Sequence, residues 1–300
     1  MSKARIAVIG AGLMGHGIAQ VFALAGHAVT IYDSVAATLD SAKARILTNL
    51  KDLGDDQSAV ERVTPKADLA DAVCDADYVV EVVLEDLPLK QKLFGEIEPH
   101  VRPDTILASN TSVIPITQIM GGLKHRERAL GTHWWNPPYL VPLVEVIGTQ
   151  WTTPDAIDWT IRLHTDAGKT PVHVKKDVPG FVGNRLQHAL WRECIALVQN
   201  GICDAETVDT VIKASFGRRL AVLGPLENAD LVGTDLTLAI HRTVLPDLDR
   251  TPGALPYLEA LVADGRLGMK SGEGFRTWTP EQQAALRTRV LQHLKKARSA

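Results

Sequence analysis

The glycine-rich stretch GAGLMG at residues 10–15 constrains the fold of this 300-residue chain more than any other feature. It follows RIAVIG at residues 5–10, a short apolar run rich in β-branched residues, and it opens HGIAQVFALAG, which is typical of a helix. A second apolar run, AVTIYD at residues 28–33, comes next. The order strand, glycine-rich loop, helix and strand predicts a βαβ unit at the start of a parallel sheet.

The glycines of this loop have the spacing of a pyrophosphate-binding turn. Gly10 permits the tight turn, Gly12 lets the backbone approach a phosphate closely, and Gly15 allows the helix to pack on the strand. Leu13 and Met14 complete the loop at the start of the helix, where free backbone N–H groups favour negative charge. We therefore predict that all five residues line a bound dinucleotide.

An acidic residue at the end of the second apolar run discriminates among dinucleotides. Asp33 lies where a carboxylate can accept hydrogen bonds from both hydroxyls of an adenosine ribose and would repel a 2′-phosphate. The pattern therefore predicts NAD rather than NADP as the cofactor. FAD-binding proteins use a similar fingerprint, and a glycine-rich turn in an unrelated α/β domain is the other alternative.

The texture of the sequence changes near residue 180. Before it, strand-like runs with little polar alternation are separated by helical patterns, which predicts a parallel sheet covered on both faces. After it, helix follows helix, the first at residues 184–201 with Asn200-Gly201 as a C-cap and the next opened by Asp204. We predict an α/β fold in which a Rossmann-like, doubly wound and mostly parallel sheet in residues 1–179 precedes a smaller all-helical domain in residues 180–300. The later predicted strands are 77–84, 105–110, 129–135 and 143–148, and the predicted helices of the first domain include 36–53 and 88–101.

The composition argues against nucleic-acid binding, membrane association and a disulfide or metal framework. The net charge of −3 and a sequence pI near 6.4 leave no basic excess for nucleic acid or an anionic membrane surface, so we expect neither as a partner. No apolar run approaches the roughly 20 residues of a membrane span and the N-terminal pattern is not that of a signal peptide, so we expect a cytoplasmic protein. Cys74, Cys194 and Cys203 lack CxxC spacing, so we predict neither disulfides nor a metal site.

Two titratable residues lie inside the apolar, proline-bent stretch GTHWWNPPYLVPLVEVIG at residues 131–148. Of the ten histidines, only His133 ends an apolar strand in the cofactor-binding half, and imidazole suits acceptance of a hydroxyl proton near neutral pH. Glu145 follows on a returning strand, which could bring the two side chains within hydrogen-bonding distance. The alternative is a satisfied buried histidine, with Glu145 as a capping residue. Trp134 and Trp135 are interpreted as wall and core residues.

Several blocks of sequence together resemble the L-3-hydroxyacyl-CoA dehydrogenase family. They occur in the family's order over nearly the whole chain, and the resemblance implies an NAD-dependent oxidation of a secondary alcohol. It also implies a homodimer formed through the helical domain and an active site in the cleft between the two domains. The matching blocks are GAGLMGHGIAQ at 10–20, VVEVVLEDLPLKQKLF at 79–94, ASNTS at 108–112, GTHWWNPP at 131–138, PLVEVI at 142–147, KDVPGFVGNRL at 176–186 and GMKSGEGF at 268–275.

The same resemblance assigns roles to individual residues. His133 matches the family's general base, and Glu145 matches the carboxylate that orients it. Ser112 matches a serine that binds the substrate's 3-oxygen, and Asn184 matches an asparagine that reaches the site from the second domain. Ser112 and Asn184 could instead cap the helices that begin beside them. The matches around the nicotinamide and its ribose are Glu85, Lys90 and Asn110.

The resemblance constrains the substrate less than the chemistry. Family members that act on CoA thioesters commonly carry a lysine-rich extension after the second strand, whereas residues 41–63 here are short and acidic, which disfavours the phosphates of CoA. A 3-hydroxyacyl-CoA or a 3-hydroxy acid is the first expectation, and a small alcohol of the carnitine, gulonate or pyridine-catabolite type is the alternative. A non-catalytic NAD-binding protein also stays open. So does a decarboxylating 2-hydroxy-acid dehydrogenase, although that reading needs a lysine where the chain has Asn184 and Arg185.

Overall fold

A computed structural model describes residues 3–298 of the chain. These residues divide into two compact units. The first unit runs to Arg185 and also includes the residues from Gln292 onward, and the second unit is Leu186–Leu291. The domain boundary expected at residues 179–180 stays a prediction.

A single sheet lies at the centre of the first unit. Its strands are β1 (Arg5–Ile9), β2 (Ala28–Tyr32), β3 (Val63–Lys66), β4 (Tyr78–Glu81), β5 (Ile106–Ser109), β6 (Ala129–Trp134), β7 (Leu143–Ile147) and β8 (Thr170–Val174). Their order is β3-β2-β1-β4-β5-β6-β7-β8, and all neighbours are parallel except β6 and β7. The direction of winding reverses between β1 and β4, so the prediction of a doubly wound, mostly parallel sheet is confirmed.

Seven helices of the first unit surround the sheet: α1 (Leu13–Leu24), α2 (Ala36–Asp40), α3 (Ala42–Leu53), α4 (Leu69–Val73), α5 (Leu87–Ile97), α6 (Ile116–Met120) and α7 (Pro154–Asp166). The prediction of one continuous helix over residues 36–53 is wrong, because the chain breaks between α2 and α3. At the break the Ser41 hydroxyl donates to the carbonyl of Thr38, 3.0 Å away. Such local bonds of serine compete with the helical hydrogen-bond ladder.

Both faces of the sheet are buried. Along β1, Ile6 and Val8 belong to one apolar cluster, whereas Ala7 and Ile9 belong to another. Because successive side chains of a strand point to opposite faces, these clusters are the two layers between the sheet and its helices. The carboxyl ends of β1, β4, β5 and β6 therefore emerge from a rigid core.

The second unit is built from helices and has two isolated β-bridges near Glu273. Helix α8 (Gly183–Gln199) begins in the first unit, and α13 (Pro280–Arg298) ends there; between them are α9 (Ala205–Ala214), α10 (Pro225–Val232), α11 (Thr234–Val244) and α12 (Pro256–Ala263). Two predicted signals are confirmed, since Gly201 adopts a φ of +68° after α8 and the Asp204 carboxylate caps α9 through the N–H of Thr207. Within residues 3–298 no helix is both long and apolar enough to cross a bilayer.

Candidate active site

The glycine loop between β1 and α1 has the close contacts that its sequence predicts. Gly10 has a φ of +111°, and a Cβ atom there would lie 2.7 Å from the carbonyl oxygen of Val82. A Cβ on Gly15 would lie 1.7 Å from the carbonyl oxygen of Gly10. A Cβ on Gly12 would meet nothing within 4 Å, so the backbone is open to a ligand at this position.

The amino end of α1 offers unpaired backbone donors beside this opening. Gly12 is the N-cap residue and provides no side-chain acceptor, and the first turn contains no acidic residue. Leu13 is exposed and Met14 is half-buried at the same end. A helix amino terminus left without a side-chain cap favours an anion, so the loop fits the pyrophosphate of NAD.

Asp33 lies beside the loop and is fixed by two backbone bonds. One carboxylate oxygen accepts from the N–H of Ala11 and the other from the N–H of Val35, both at 2.8 Å. The side chain is half-buried. The carboxylate is thus held next to the dinucleotide loop, in the place that fits an adenosine ribose with a free 2′-hydroxyl.

Sequence reasoning missed two residues that brace the loop from behind. The Arg45 guanidinium donates to the carbonyls of Ala11 at 2.6 Å and Thr38 at 2.9 Å, and His16 Nδ1 donates to the carbonyl of Gly12 at 2.7 Å. Burial lowers the pKa of His16 and the charge of Arg45 adds to this effect, while the bond to Gly12 opposes it. His16 could have been recognised from the sequence, because it is a polar residue at a buried helix position directly after Gly15.

The antiparallel register of β6 and β7 places His133 directly opposite Glu145. His133 Nδ1 donates to Glu145 Oε2 over 2.7 Å, and the two residues are 4% and 1% exposed. Because Nδ1 carries this hydrogen bond, Nε2 is the ring nitrogen that can accept a proton. The side chains of Trp135 and Phe181 flank the imidazole, with ring centroids 5.3 and 5.7 Å from it.

The second oxygen of Glu145 is bound to backbone. Glu145 Oε1 accepts from the N–H groups of Val182 at 2.9 Å and Gly183 at 3.0 Å. Burial opposes ionisation of this carboxyl, but the bonds from His133, Gly183 and Val182 outweigh it and leave the pKa of Glu145 below its ordinary value. Glu145 is therefore an ionised partner for the imidazole.

The structure joins Ser112 and Asn184, which the sequence places 72 residues apart. Asn184 Nδ2 donates to the carbonyl oxygen of Ser112 over 2.8 Å. Neither residue occupies the N-cap position that the alternative supposed, since α6 begins only at Ile116 and Asn184 is already inside α8, which begins at Gly183. Asn184 itself belongs to the first unit.

Glu85 and Lys90 belong to one ionic network, in which Lys90 is buried and Glu85 is exposed at the edge. Lys90, which is 1% exposed, donates to Glu81 at 2.7 Å and is 3.3 Å from Glu85. Glu85 also accepts from the Thr111 hydroxyl and the Ser112 N–H. Burial opposes ionisation of Glu85, but these bonds and the charge of Lys90 outweigh it and lower the pKa of Glu85. Sequence reasoning missed Glu81, although a glutamate inside the apolar run of β4 was a visible signal.

Asn110 and the two tryptophans lie next to His133, at the ends of β5 and β6. Asn110 Oδ1 accepts from the N–H of Trp134 at 2.8 Å, which ties the end of β5 to β6. Trp134 is a core residue, 2% exposed, whereas Trp135 forms a wall beside His133. Within the described residues no group of three or more His, Cys, Asp or Glu side chains could hold a metal ion.

Comparison with known proteins gives two family matches that together span most of the chain. Residues 5–178 match a model described as the NAD binding domain of 3-hydroxyacyl-CoA dehydrogenase. Residues 180–278 match its C-terminal domain. Helix α13 lies beyond the second match.

Relatives with different substrates in their names are similar to the chain. A 5-formyl-3-hydroxy-2-methylpyridine 4-carboxylate 5-dehydrogenase of Mesorhizobium japonicum is 38% identical, covering 94% of this chain and 93% of that one. An L-carnitine dehydrogenase of Streptomyces griseus is 36% identical over 82% and 78% of the two chains. The mitochondrial hydroxyacyl-coenzyme A dehydrogenase of Homo sapiens is 35% identical over 90% of each.

Solved structures show the same range. The crystal structure of a 5-formyl-3-hydroxy-2-methylpyridine 4-carboxylic acid 5-dehydrogenase, described as an NAD-dependent dismutase, gives a TM-score of 0.91 at 36% identity, covering 99% and 97% of the chains. The (S)-3-hydroxybutyryl-CoA dehydrogenase of Ralstonia eutropha gives 0.78 at 30% identity, covering 93% and 100%.

Proposed function

Because the chain belongs to the 3-hydroxyacyl-CoA dehydrogenase family of NAD-dependent oxidoreductases that act on CH–OH groups, we propose that His133 is its general base. The observation that carries this proposal is the buried 2.7 Å bond between His133 Nδ1 and Glu145. NAD supplies the acceptor for the hydride that leaves the alcohol carbon. His133 Nε2 takes the hydroxyl proton, and the ionised Glu145 stabilises the imidazolium that results.

The other site residues position the reactants. Ser112 and Asn184 are linked through the Ser112 carbonyl, and we assign them to the reacting oxygen of the substrate. The remaining assignments concern NAD. We assign Glu85, Lys90 and Asn110 to the binding of its nicotinamide ribose. The residues assigned to its adenosine and pyrophosphate parts are Gly10, Gly12, Leu13, Met14, Gly15 and Asp33.

For the substrate we propose a small hydroxylated compound without CoA. The acidic segment of residues 41–63 supports this for a different reason from charge repulsion. Asp55 forms a two-point ion pair with Arg298, and Asp56 caps a 3-10 helix through the N–H of Ser58. Asp55 and Asp56 are thus engaged within the chain, and the end of α13 lies beside Asp55.

Two further observations agree with a compact, CoA-free substrate. The half-buried side chain of Trp135 lies beside His133, and its flat ring suits a planar or short substrate. The relative named for a pyridine compound matches almost the whole chain, whereas the family model ends before α13 begins. A 3-hydroxyacyl-CoA is the rival substrate, since several relatives carry that name.

NADH absorbance tests the reaction and the substrate together. We expect turnover with a member of a panel of carnitine, gulonate and hydroxymethyl- or formyl-substituted pyridine carboxylates, and none with 3-hydroxybutyryl-CoA. His133→Gln should lower kcat by roughly 10²-fold or more at unchanged NAD affinity, because a general base usually contributes that much. The exposed His100→Gln is the matched control. Turnover of the thioester alone would disprove the CoA-free substrate, and a small effect of His133→Gln would disprove the base.

A homodimer formed through the second unit and a cytoplasmic location complete the proposal. The three cysteines are unpaired and Cys74 is exposed, which agrees with a reducing compartment. Helices α10 and α11 contain no buried residue, although both are rich in leucine and valine. A second copy of the chain is the partner that we assign to this surface.

A further inference from the structure

The turn before α8 contains an unusual backbone conformation. Phe181 has a φ of +51° and is the one non-glycine residue within residues 3–298 with a positive φ. Side chains with a Cβ atom are disfavoured in this region, and a bulky aromatic residue more than most. Phe181 is nevertheless only 1% exposed, so the burial of its ring anchors the turn in a conformation that its backbone would otherwise leave.

The turn is fixed at both of its ends. Before Phe181, the Asp177 carboxylate accepts from the N–H groups of Ile116 and Thr117, and the N–H of Gly180 donates to the carbonyl of Val113. The N–H of Phe181 donates to the carbonyl of Val178. These bonds tie the segment to the loop after β5, on which Ser112 lies.

What the turn delivers is a pair of consecutive backbone donors. After Phe181, the N–H groups of Val182 and Gly183 both point at Glu145 Oε1, at 2.9 and 3.0 Å. Successive N–H groups that converge after a left-handed residue form a concave anion site. Here the anion is the side chain that holds His133.

The same turn also lies beside two rings of the active site, the imidazole of His133 and the indole of Trp135. The Phe181 ring centroid is 5.7 Å from that of His133. A Cβ atom on Gly183 would lie 2.5 Å from Trp135 Cζ2, so only glycine lets the N–H approach Glu145 while Trp135 stays beside the imidazole. One short segment therefore touches every member of the catalytic pair and its wall.

We propose that residues 180–183 are a positioning element for Glu145, in which the buried ring of Phe181 holds the left-handed backbone that aims two N–H donors at the carboxylate. The inference rests on the proposed role of His133 as the base. Phe181 is then a positioning residue that acts through Glu145 and touches no reacting atom. Without the two donors, Glu145 is free to turn or to take up a proton, and His133 loses its fixed tautomer.

The relative severity of two substitutions at residue 181 distinguishes a positioning role from a packing role. Phe181→Ala removes the anchor and keeps the penalty for positive φ, so the backbone should relax and turn the donors away. Phe181→Gly removes the same ring but adopts positive φ freely, so it should preserve the donors better. Glycine should therefore outperform alanine at this position. At Phe94, a buried phenylalanine within α5, the order should be reversed, because glycine weakens a helix more than alanine does.

Three measurements on the full-length protein read out this order. The first is the downfield proton resonance of the bond between His133 Nδ1 and Glu145, which needs no substrate and so stands even if the proposed reaction fails. The second is kcat, which we expect to fall by about 10-fold or more in Phe181→Ala with NAD affinity unchanged, in keeping with the cost of a misplaced catalytic group. The third is the pH profile of kcat/KM, whose acid limb should move to lower pH, because a carboxylate that has turned away or taken up a proton stabilises the imidazolium less.

The result that supports the proposal is a weakened resonance and a displaced profile in Phe181→Ala, with both partly restored in Phe181→Gly. Glycine worse than alanine in all three measurements, as at Phe94, would overturn it and leave a packing role. Gly183→Ala gives a second route if either variant fails to fold, because its Cβ would collide with Trp135 and displace one donor. An unchanged resonance in Gly183→Ala would also overturn the proposal.

Discussion

His164 is a fully buried histidine outside the active site, and its burial should lower the free energy of unfolding at acid pH. Its ring lies among Trp134, Phe22 and Tyr78, with centroid distances of 5.2, 5.6 and 5.7 Å, and its Nδ1 donates to the carbonyl of Thr160. Burial lowers the pKa of His164 from 6.5 to about 4, and the charge of Lys169 adds to this effect while the Thr160 bond opposes it. The imidazole is therefore neutral in the folded chain down to about pH 4.

Between pH 6.5 and about pH 4 the unfolded chain binds a proton at this residue and the folded chain does not. Stability therefore rises with pH across this window, and acidification through it should lower the free energy of unfolding by about 3 kcal/mol in total. Urea unfolding at pH 7 and pH 5 measures the change. His164→Gln should flatten the dependence, whereas the exposed His100→Gln should not. Parallel pH dependences of the wild type and His164→Gln would contradict the prediction.

At the residue scale, the sequence predicts what depends on neighbours along the chain. His133 and Glu145 are predictable as a pair because a proline turn returns one apolar strand beside another, and their antiparallel register then sets them opposite each other. Glu81 and Arg45 escape prediction because their partners come from distant parts of the chain: Lys90 and Ser109 for Glu81, and the glycine loop for Arg45. A buried charge takes its meaning from tertiary contacts that no local pattern contains.

At the element scale, the same limit applies to the two edges of the sheet. β3 and β8 were not among the predicted strands, and each is short and contains a proline, Pro65 and Pro171. Edge strands tolerate proline because one of their sides needs no backbone donor, so the usual strand signals are weak there. The central strands are buried on both faces and therefore have continuous apolar sequences, which is why they were predictable.

The end of helix α13 is an element whose attachment can be tested separately. Arg298 contacts both oxygens of Asp55 at 2.9 and 3.0 Å, and Lys295 donates to the carbonyl of Asp52. Together with burial, which is the larger cause, the charge of Arg298 lowers the pKa of Lys169 to about 8. The Lys169 ammonium in turn donates to the carbonyls of Pro138 and Val141, and this helix end lines one cavity with Lys169 and the turn that joins β6 to β7.

A double-mutant cycle of Arg298→Ala and Asp55→Ala should give a coupling free energy of about 0.5–1 kcal/mol, as expected for a two-point pair that is partly exposed. Urea unfolding at low and high salt measures it, and the coupling should shrink in high salt because the pair is partly screened. Arg287→Ala, at an exposed position on the same helix, is the control and should show no coupling to Asp55. The absence of any coupling would contradict the prediction, and a coupling that does not change with salt would mean that the pair is shielded from dissolved ions.

At the scale of the whole molecule, the two units differ sharply in how much apolar surface they bury. The first unit has a layer of apolar side chains on each face of its sheet. Within Leu186–Leu291 the buried apolar residues are Ala196, Val208, Leu255 and Leu261. So small a core is a weak basis for an independent unit, because burial must offset the loss of conformational entropy. Leucine, isoleucine and valine side chains stay exposed instead, which agrees with the proposed dimer.

Three of these exposed side chains form a stripe that a second copy can cover. Leu236, Ile240 and Val244 follow one another every four residues along α11 and are 50%, 49% and 44% exposed. They therefore share one face of the helix.

We expect the wild type to sediment as a dimer and its melting temperature to rise with protein concentration, since association stabilises only the folded chain. Ile240→Glu should shift the protein to monomer because it places a charge within the apolar contact, while Val172→Glu on the edge strand β8 should leave the mass unchanged. A wild type that sediments as one chain at micromolar concentration would show that the stripe is not a dimer surface.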